Sequence, residues 1–253
     1  MSKTKMIALA GKGGVGKTSL AAAMVKTLVQ EHPDKKILAI DADPAVGLST
    51  ALGVEVTETI DDIRKAVVAS VEQGDTRGAM ELLSESEYRI YDALVECDGF
   101  AFIAVGRPES AGCYCKINTY LKAVIQILAD NFDYVVIDGE AGIEQVNRRV
   151  MEKVTHLVLV TDASRKGTQV VQTIRRVADE LVMYEKIGVI ANRLPSREVC
   201  DILDIGDLPL LAGIEADTRL AQADLTGQSV LELSGDTPLV QGAAQALHQI
   251  GVE

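Results

Sequence analysis

The chain has 253 residues, enough for one sizeable core, and 47% of them are hydrophobic, which excludes a disordered polymer. A formal net charge of −12 argues against broad nucleic-acid binding, whose affinity comes mainly from phosphate neutralisation, and no run of basic residues supplies a local exception. No apolar run is long enough to span a bilayer. The charged start leads into the first apolar segment without the cleavage site of a signal peptide, so the expected location is the cytoplasm, away from membranes. In that compartment four cysteines read as metal or redox groups rather than as a disulfide framework.

The first predicted elements are a buried parallel strand over Lys5–Ala10 and a helix over Ser19–Gln30, with Leu20, Ala23, Met24, Thr27 and Leu28 on one face. Between them lies Gly11-Lys12-Gly13-Gly14-Val15-Gly16-Lys17-Thr18, which fits the phosphate-loop pattern G-x-x-x-x-G-K-S/T. Its glycines let backbone N–H groups wrap phosphates, and the helix N-terminus completes an anion site. Lys17 is placed to reach the terminal phosphates, and the Thr18 hydroxyl to ligate Mg²⁺. The predicted nucleotide cradle thus runs from Gly11 to Ser19. Lys12 is not required by this logic. The form K-G-G-x-G-K-T resembles the deviant loop of the dimerising ATPases of the partition, septum-site, nitrogenase-iron-protein and metal-insertion group. The resemblance implies that Lys12 crosses to the nucleotide of a second subunit, and that the chain is a homodimer whose geometry follows its nucleotide.

Further along, strands are expected over Lys36–Asp41, Ala101–Val105, Tyr134–Asp138, His156–Thr161, Lys186–Ala191 and Leu210–Ile214. Helices are expected over Thr59–Val71, Ile117–Asp130, Gly167–Tyr184, Ser196–Leu203 and Pro238–Ile250. This alternation predicts one α/β domain over residues 1–253, a mainly parallel twisted sheet with helices on both faces and ligands at the carboxyl ends of the strands.

Polar residues follow those strand ends. After the second strand comes Asp41-Ala42-Asp43-Pro44-Ala45, where Asp43 matches the family carboxylate that orients the attacking water, and Asp41 supports the Mg²⁺ shell or the loop. Cys113-Tyr114-Cys115 precedes a helix with Ile117, Leu121, Val124, Ile125 and Leu128 on one face. The positive end of that helix favours thiolates, and residues i and i+2 of an extended segment point the same way, so both sulfurs can reach one soft metal. Two ligands leave such a site open, and the same pair from a second copy on a two-fold axis would close it. Cys97 and Cys200 are isolated and read as structural.

Val135-Val136-Ile137 ends in Asp138 and resembles a Walker B strand, with Asp138 holding Mg²⁺ through a water and the backbone of Gly142 approaching the γ-phosphate. Arg148 and Arg149 belong either to the switch that follows or to a solvated helix face. Asn192-Arg193 follows the next strand but one. The matching family asparagine reads the adenine edge, whereas the plain alternative is a turn cap. Gly213-Ile214-Glu215-Ala216-Asp217 resembles the family loop beside the base. No Lys or Arg follows Arg219, so the tail Gln241–Glu253 is expected to pack on the core rather than on a membrane.

Taken together, the loop, D-A-D-P, Cys-Tyr-Cys and Glu140-Ala-Gly-Ile-Glu144 resemble the carbon monoxide dehydrogenase maturation ATPases and the related acetyl-CoA synthase accessory ATPases. The resemblance covers essentially the whole chain and departs at Gln145, where some relatives carry histidine. It implies ATP-dependent nickel insertion, with Ni²⁺ (or Zn²⁺, which thiolates also bind) held between protomers by Cys113 and Cys115. The implied client is carbon monoxide dehydrogenase or acetyl-CoA synthase. The alternative is a reductase of the nitrogenase-iron-protein type with a subunit-bridging iron–sulfur cluster, against which stands the absence of cysteine from Asp138 to Val150.

Overall fold

The computed structural model describes residues 4–43, 45–106, 115–139, 153–181 and 184–252. In chain order they form β1 (Lys5–Gly11), α1 (Lys17–Glu31), β2 (Ile37–Asp41), α2 (Gly47–Leu52), α3 (Ile60–Glu72), α4 (Thr76–Asp92), β3 (Val95–Glu96), β4 (Ala101–Ala104) and α5 (Cys115–Ala129). Then follow β5 (Tyr134–Asp138), β6 (His156–Thr161), α6 (Arg165–Leu181), β7 (Lys186–Leu194), β8 (Leu210–Glu215), α7 (Thr218–Thr226) and α8 (Pro238–Ile250).

The strands build one eight-stranded sheet in the order β3-β4-β2-β5-β1-β6-β7-β8, parallel throughout except for the short edge strand β3. The central strands are apolar between their ends because both faces are covered. Met6, Ala8 and Ala10 of β1 point to the side packed by Ile63 and Val67 of α3, Val124 and Leu128 of α5 and Val171 of α6. Ile7 and Leu9 point to the other side, under Leu20 and Met24 of α1 and Leu239 and Leu247 of α8. The period of two in a strand thus divides one sequence between two cores.

The C-terminal helix packs on the core as its lack of basic residues suggests, with Leu239, Val240, Ala243, Ala246, Leu247 and Ile250 buried. Three expectations are corrected. The segment expected as a helix over Ser196–Leu203 is a 3₁₀ turn over Arg197–Ile202 with no buried residue, so no apolar face drives a full helix there. β7 runs on through Asn192 and Arg193 instead of ending at Ala191, with a register irregularity against β8 between Ala191 and Leu194. The short helix α2, the polar helix α4 and α7 were not foreseen, because each lacks a long apolar stripe.

β1 lies between β5 and β6, while the chain leaves β1 for β2 on the far side of β5. The order of strands therefore reverses at β1, and a crevice opens at the carboxyl ends of β1, β2 and β5. The phosphate loop, Asp41 and Asp138 all stand at that edge, since Asp41 pairs in register with Asp138, and Leu9 with Asp138 on the other side.

Candidate functional site at the carboxyl edge of the sheet

The loop from Gly11 to Gly16 turns through backbone conformations that need glycine. Gly14 and Gly16 have φ of 80° and 91°, and Gly16 is the left-handed N-cap of α1. A Cβ on Gly11 would stand 2.2 Å from the carbonyl oxygen of Val160, and one on Gly16 would stand 2.5 Å from Nδ2 of Asn192. Two side chains brace the loop from β7: Asn192 Nδ2 donates to the Val15 carbonyl at 2.8 Å, and Arg193 Nη1 donates to the Gly14 carbonyl at 2.9 Å. Arg193 does so from a left-handed backbone with φ of 57°. Both residues named from sequence thus reach the loop, acting on its backbone. Oδ1 of Asn192 is the amide atom facing away from that bond.

Lys17 is buried, and its ammonium donates at 3.4 Å and 3.5 Å to the carbonyls of Gly11 and Lys12. These long bonds hold it curled over the loop. Lys12 turns the other way within the same chain, its Nζ 3.2 Å from Oδ2 of Asp162. Asp162 also accepts from the backbone N–H of Ser164 at 3.1 Å, and the Ser164 and Lys12 bonds hold its carboxyl below the usual range against the effect of burial. Sequence reasoning missed Asp162. The signal was available, since it directly follows β6 at the edge that also carries the phosphate loop, Asp41 and Asp138.

Two carboxylates lie beneath the loop. Asp41 is fully buried; its Oδ1 accepts from Asp43 N at 3.1 Å and its Oδ2 from Leu48 N at 2.9 Å, so it ties the end of β2 to the start of α2. Burial pushes its carboxyl up to about 6 against those backbone bonds. Asp138 is also fully buried, and neither of its oxygens has a partner of hydrogen-bond geometry among the described residues. Burial pushes it up to about 7, the Thr18 hydroxyl and Lys17 pull it down, and Asp41 and Asp43 push it further up. Buried polar atoms are rarely left unpaired, and two such oxygens beside a threonine hydroxyl suit a hydrated divalent cation. Asp43 is half-buried, and its Oδ1 accepts from Ala45 N at 2.9 Å. On the outer side of Thr18 and Ser19 a cavity of about 350 Å³ opens between α2 and α7, with Thr50, Asp224 and Gln228 as polar groups on its wall.

Other expected residues fall elsewhere. Cys115 opens α5, but its side chain, all of Cys113, Pro44, Gly142, Gln145, Arg148 and Arg149 lie outside the described residues. Among the described residues no group of three His, Cys, Asp or Glu is arranged to hold a metal, and no helix is long and apolar enough to cross a membrane. Cys97 and Cys200 are half-buried free thiols, both raised by burial, and Cys200 packs against Gly213.

A glycine loop joining a central parallel strand to a helix, over a buried carboxylate on the neighbouring strand, defines a P-loop nucleotide-binding protein. Residues 6–230 match the family described as the CobQ/CobB/MinD/ParA nucleotide binding domain. The chain is 36% identical over 228 residues to an uncharacterized ATP-binding protein of Methanocaldococcus jannaschii, covering 88% of each. It is 32% identical over 252 residues to the carbon monoxide dehydrogenase accessory protein CooC of Rhodospirillum rubrum, covering 95% of this chain and 94% of the relative. Among solved structures it is similar to the septum site-determining protein MinD of Pyrococcus horikoshii complexed with Mg-ADP, with a TM-score of 0.68 and 20% identity over 98% of this chain and 96% of that one. The chain therefore belongs to the CobQ/CobB/MinD/ParA family of P-loop ATPases.

Proposed function

We propose that this chain, as one ATPase domain, is a homodimeric nickel-insertion ATPase that matures a nickel enzyme. The observation that carries this reading is its 32% identity to an accessory protein of carbon monoxide dehydrogenase along 95% of its length, together with Cys113-Tyr114-Cys115 running into the start of α5. Carbon monoxide dehydrogenase is accordingly the proposed client, with acetyl-CoA synthase the alternative client.

The residues divide the work as follows. The backbone N–H groups from Gly13 to Ser19 cradle the phosphates of ATP, and Lys17 leaves its two long carbonyl bonds for the terminal phosphates. Thr18 and Asp138 hold Mg²⁺, which when bound neutralises charge on the phosphates. Asp43 orients the attacking water, and Asp41 holds the turn that carries it. Asn192, its Nδ2 occupied by Val15, keeps Oδ1 to accept from the adenine amino group, which favours adenine over guanine. Lys12 exchanges Asp162 for the phosphates on the second copy. Gly142 senses the γ-phosphate. Cys113 and Cys115 from both copies hold nickel as cargo, a site that Zn²⁺ also fits, and nucleotide changes its affinity because ATP favours one dimer geometry.

The test is metal per chain after anaerobic reduction and nickel loading, read with the mass in solution. One nickel per two chains, lost in Cys113→Ala/Cys115→Ala while ATP turnover continues, is the expected result. No stoichiometric nickel overturns the reading and leaves an ATPase switch with another client, whereas iron and sulfide in its place favour the reductase.

A further inference from the structure

β7 departs from regular strand geometry where it meets the phosphate loop. Successive side chains of a strand point to opposite faces, so sequence neighbours do not normally share a partner. Asn192 and Arg193 are neighbours, yet both reach the loop, Asn192 Nδ2 donating to the Val15 carbonyl at 2.8 Å and Arg193 Nη1 to the Gly14 carbonyl at 2.9 Å. Two irregularities allow this. The backbone of Arg193 is left-handed, with φ of 57°, and the register against β8 shifts between Ala191 and Leu194. A residue with a side chain is strained at such a φ, and strain of this kind collects at functional sites. Arg193 is exposed, and an exposed hydrogen bond adds little to stability, so the fold alone explains the strain poorly.

The direction of the two bonds supplies a reason. No described peptide bond is cis, and in a trans peptide the carbonyl and the following N–H point opposite ways. The Gly14 carbonyl, drawn to Arg193, therefore turns the Val15 N–H away from the guanidinium. The Val15 carbonyl, drawn to Asn192, does the same for the Gly16 N–H. Gly16 lies against both side chains, since a Cβ there would stand 2.5 Å from Asn192 Nδ2 and 3.8 Å from Arg193 Nε. The Gly16 carbonyl already accepts from Leu20 N of α1 at 3.0 Å. The carbonyls of Gly11 and Lys12 accept from Lys17, the side chain that the terminal phosphates recruit. The bonds from β7 need not break when Lys17 turns to its ligand.

We infer that Arg193 is a positioning residue for phosphate binding: with Asn192 it draws two consecutive loop carbonyls toward β7 and so holds the N–H groups of Val15 and Gly16 ready for an anion. This rests on the reading of the loop as a nucleotide cradle and adds what keeps the cradle in shape. A carbonyl oxygen turned toward the phosphates repels them, and a loop already held the other way binds without reorganising. Arg193 thus serves the phosphates of any nucleotide and takes no part in choosing the base.

The test compares Mg²⁺-ADP with Mg²⁺-tripolyphosphate, which has no nucleoside, by displacement of a fluorescent ADP analogue. Arg193→Gly is the main variant, because glycine adopts the left-handed backbone freely and loses only the side chain. A parent-like urea midpoint checks its fold, and Arg193→Asn, which also tolerates that backbone, gives the same readout if the glycine variant folds poorly. Either is expected to weaken both ligands by the same factor of about ten, the size of one lost hydrogen-bond partner, and Arg193→Lys to recover part of it. Unchanged tripolyphosphate affinity in these variants, with or without a loss for ADP, overturns the proposal. So does a parent protein that binds no tripolyphosphate, because its loop is then not ready without the nucleoside. Tripolyphosphate binding that survives Lys17→Ala undiminished overturns the reading of the loop itself, and the positioning role with it.

Discussion

Asp41 and Asp138 lie opposite each other in register, buried at the carboxyl edge of the sheet beside the phosphate loop. Burial raises both carboxyls, that of Asp41 to about 6 and that of Asp138 to about 7. An acid raised on folding keeps its proton in the native state while the unfolded chain has lost it, so the native state binds more protons and stability falls as pH rises. The nucleotide-free protein is therefore expected to melt at progressively lower temperature from about pH 4 to about pH 7, and to change little from this source above that. Mg²⁺ with ADP should then raise the melting temperature more at about pH 8 than at about pH 6, a difference that scanning calorimetry can measure. Asp138→Asn should leave the bare fold at least as stable, yet weaken Mg²⁺-dependent turnover by about 10–100-fold, as expected for a group that acts through a metal-bound water. Unchanged turnover would remove Asp138 from the site. For Lys12 the competing contact is Asp162, a partly exposed pair worth under about 1 kcal/mol. Asp162→Asn should leave stability nearly unchanged and favour the proposed ATP-bound dimer, seen as a lower dissociation constant in sedimentation runs. A weaker dimer would mean that Asp162 serves the interface instead.

At the level of elements, the long apolar or amphipathic ones were legible. β1, β2, β5 and β6 came close to their expected bounds because buried parallel strands are continuous apolar runs. α4 was not, since among its described side chains Ile90 and partly covered residues such as Leu82 face the core, and a polar helix carries little periodic signal. Nor was the continuation of β7 through Asn192, because strand pairing with β8, not local preference, holds it there. The C-terminal helix gives the clearest stability test. Leu247 is 2% exposed against the sheet, and Leu247→Ala should cost about 2–5 kcal/mol in urea unfolding. A loss below about 0.5 kcal/mol, the range of surface substitutions, would mean that α8 is only loosely attached.

At the scale of the whole molecule, each copy carries a formal net charge of −12, so two copies repel when they meet. Raising ionic strength from low to physiological should strengthen the proposed ATP-bound dimer, read as mass by light scattering, because screening reduces that repulsion while phosphate contacts buried in such a dimer would be less affected. A dimer that weakens with salt would place attractive surface charge, rather than the nucleotide, at its centre.

The phosphate loop, the two acidic strand ends and the α/β class were determined by the sequence itself, because glycine conformations, lysine reach and strand burial are local matters of spacing and periodicity. What Lys12 and Asn192 touch was decided by tertiary structure alone. Asp162 and Val15 stand 150 and 177 positions away in the chain and become neighbours only when the sheet places β6 beside β1 and β7 beside β6. The same holds for Asp138, whose want of a partner exists only once the surrounding strands have excluded water.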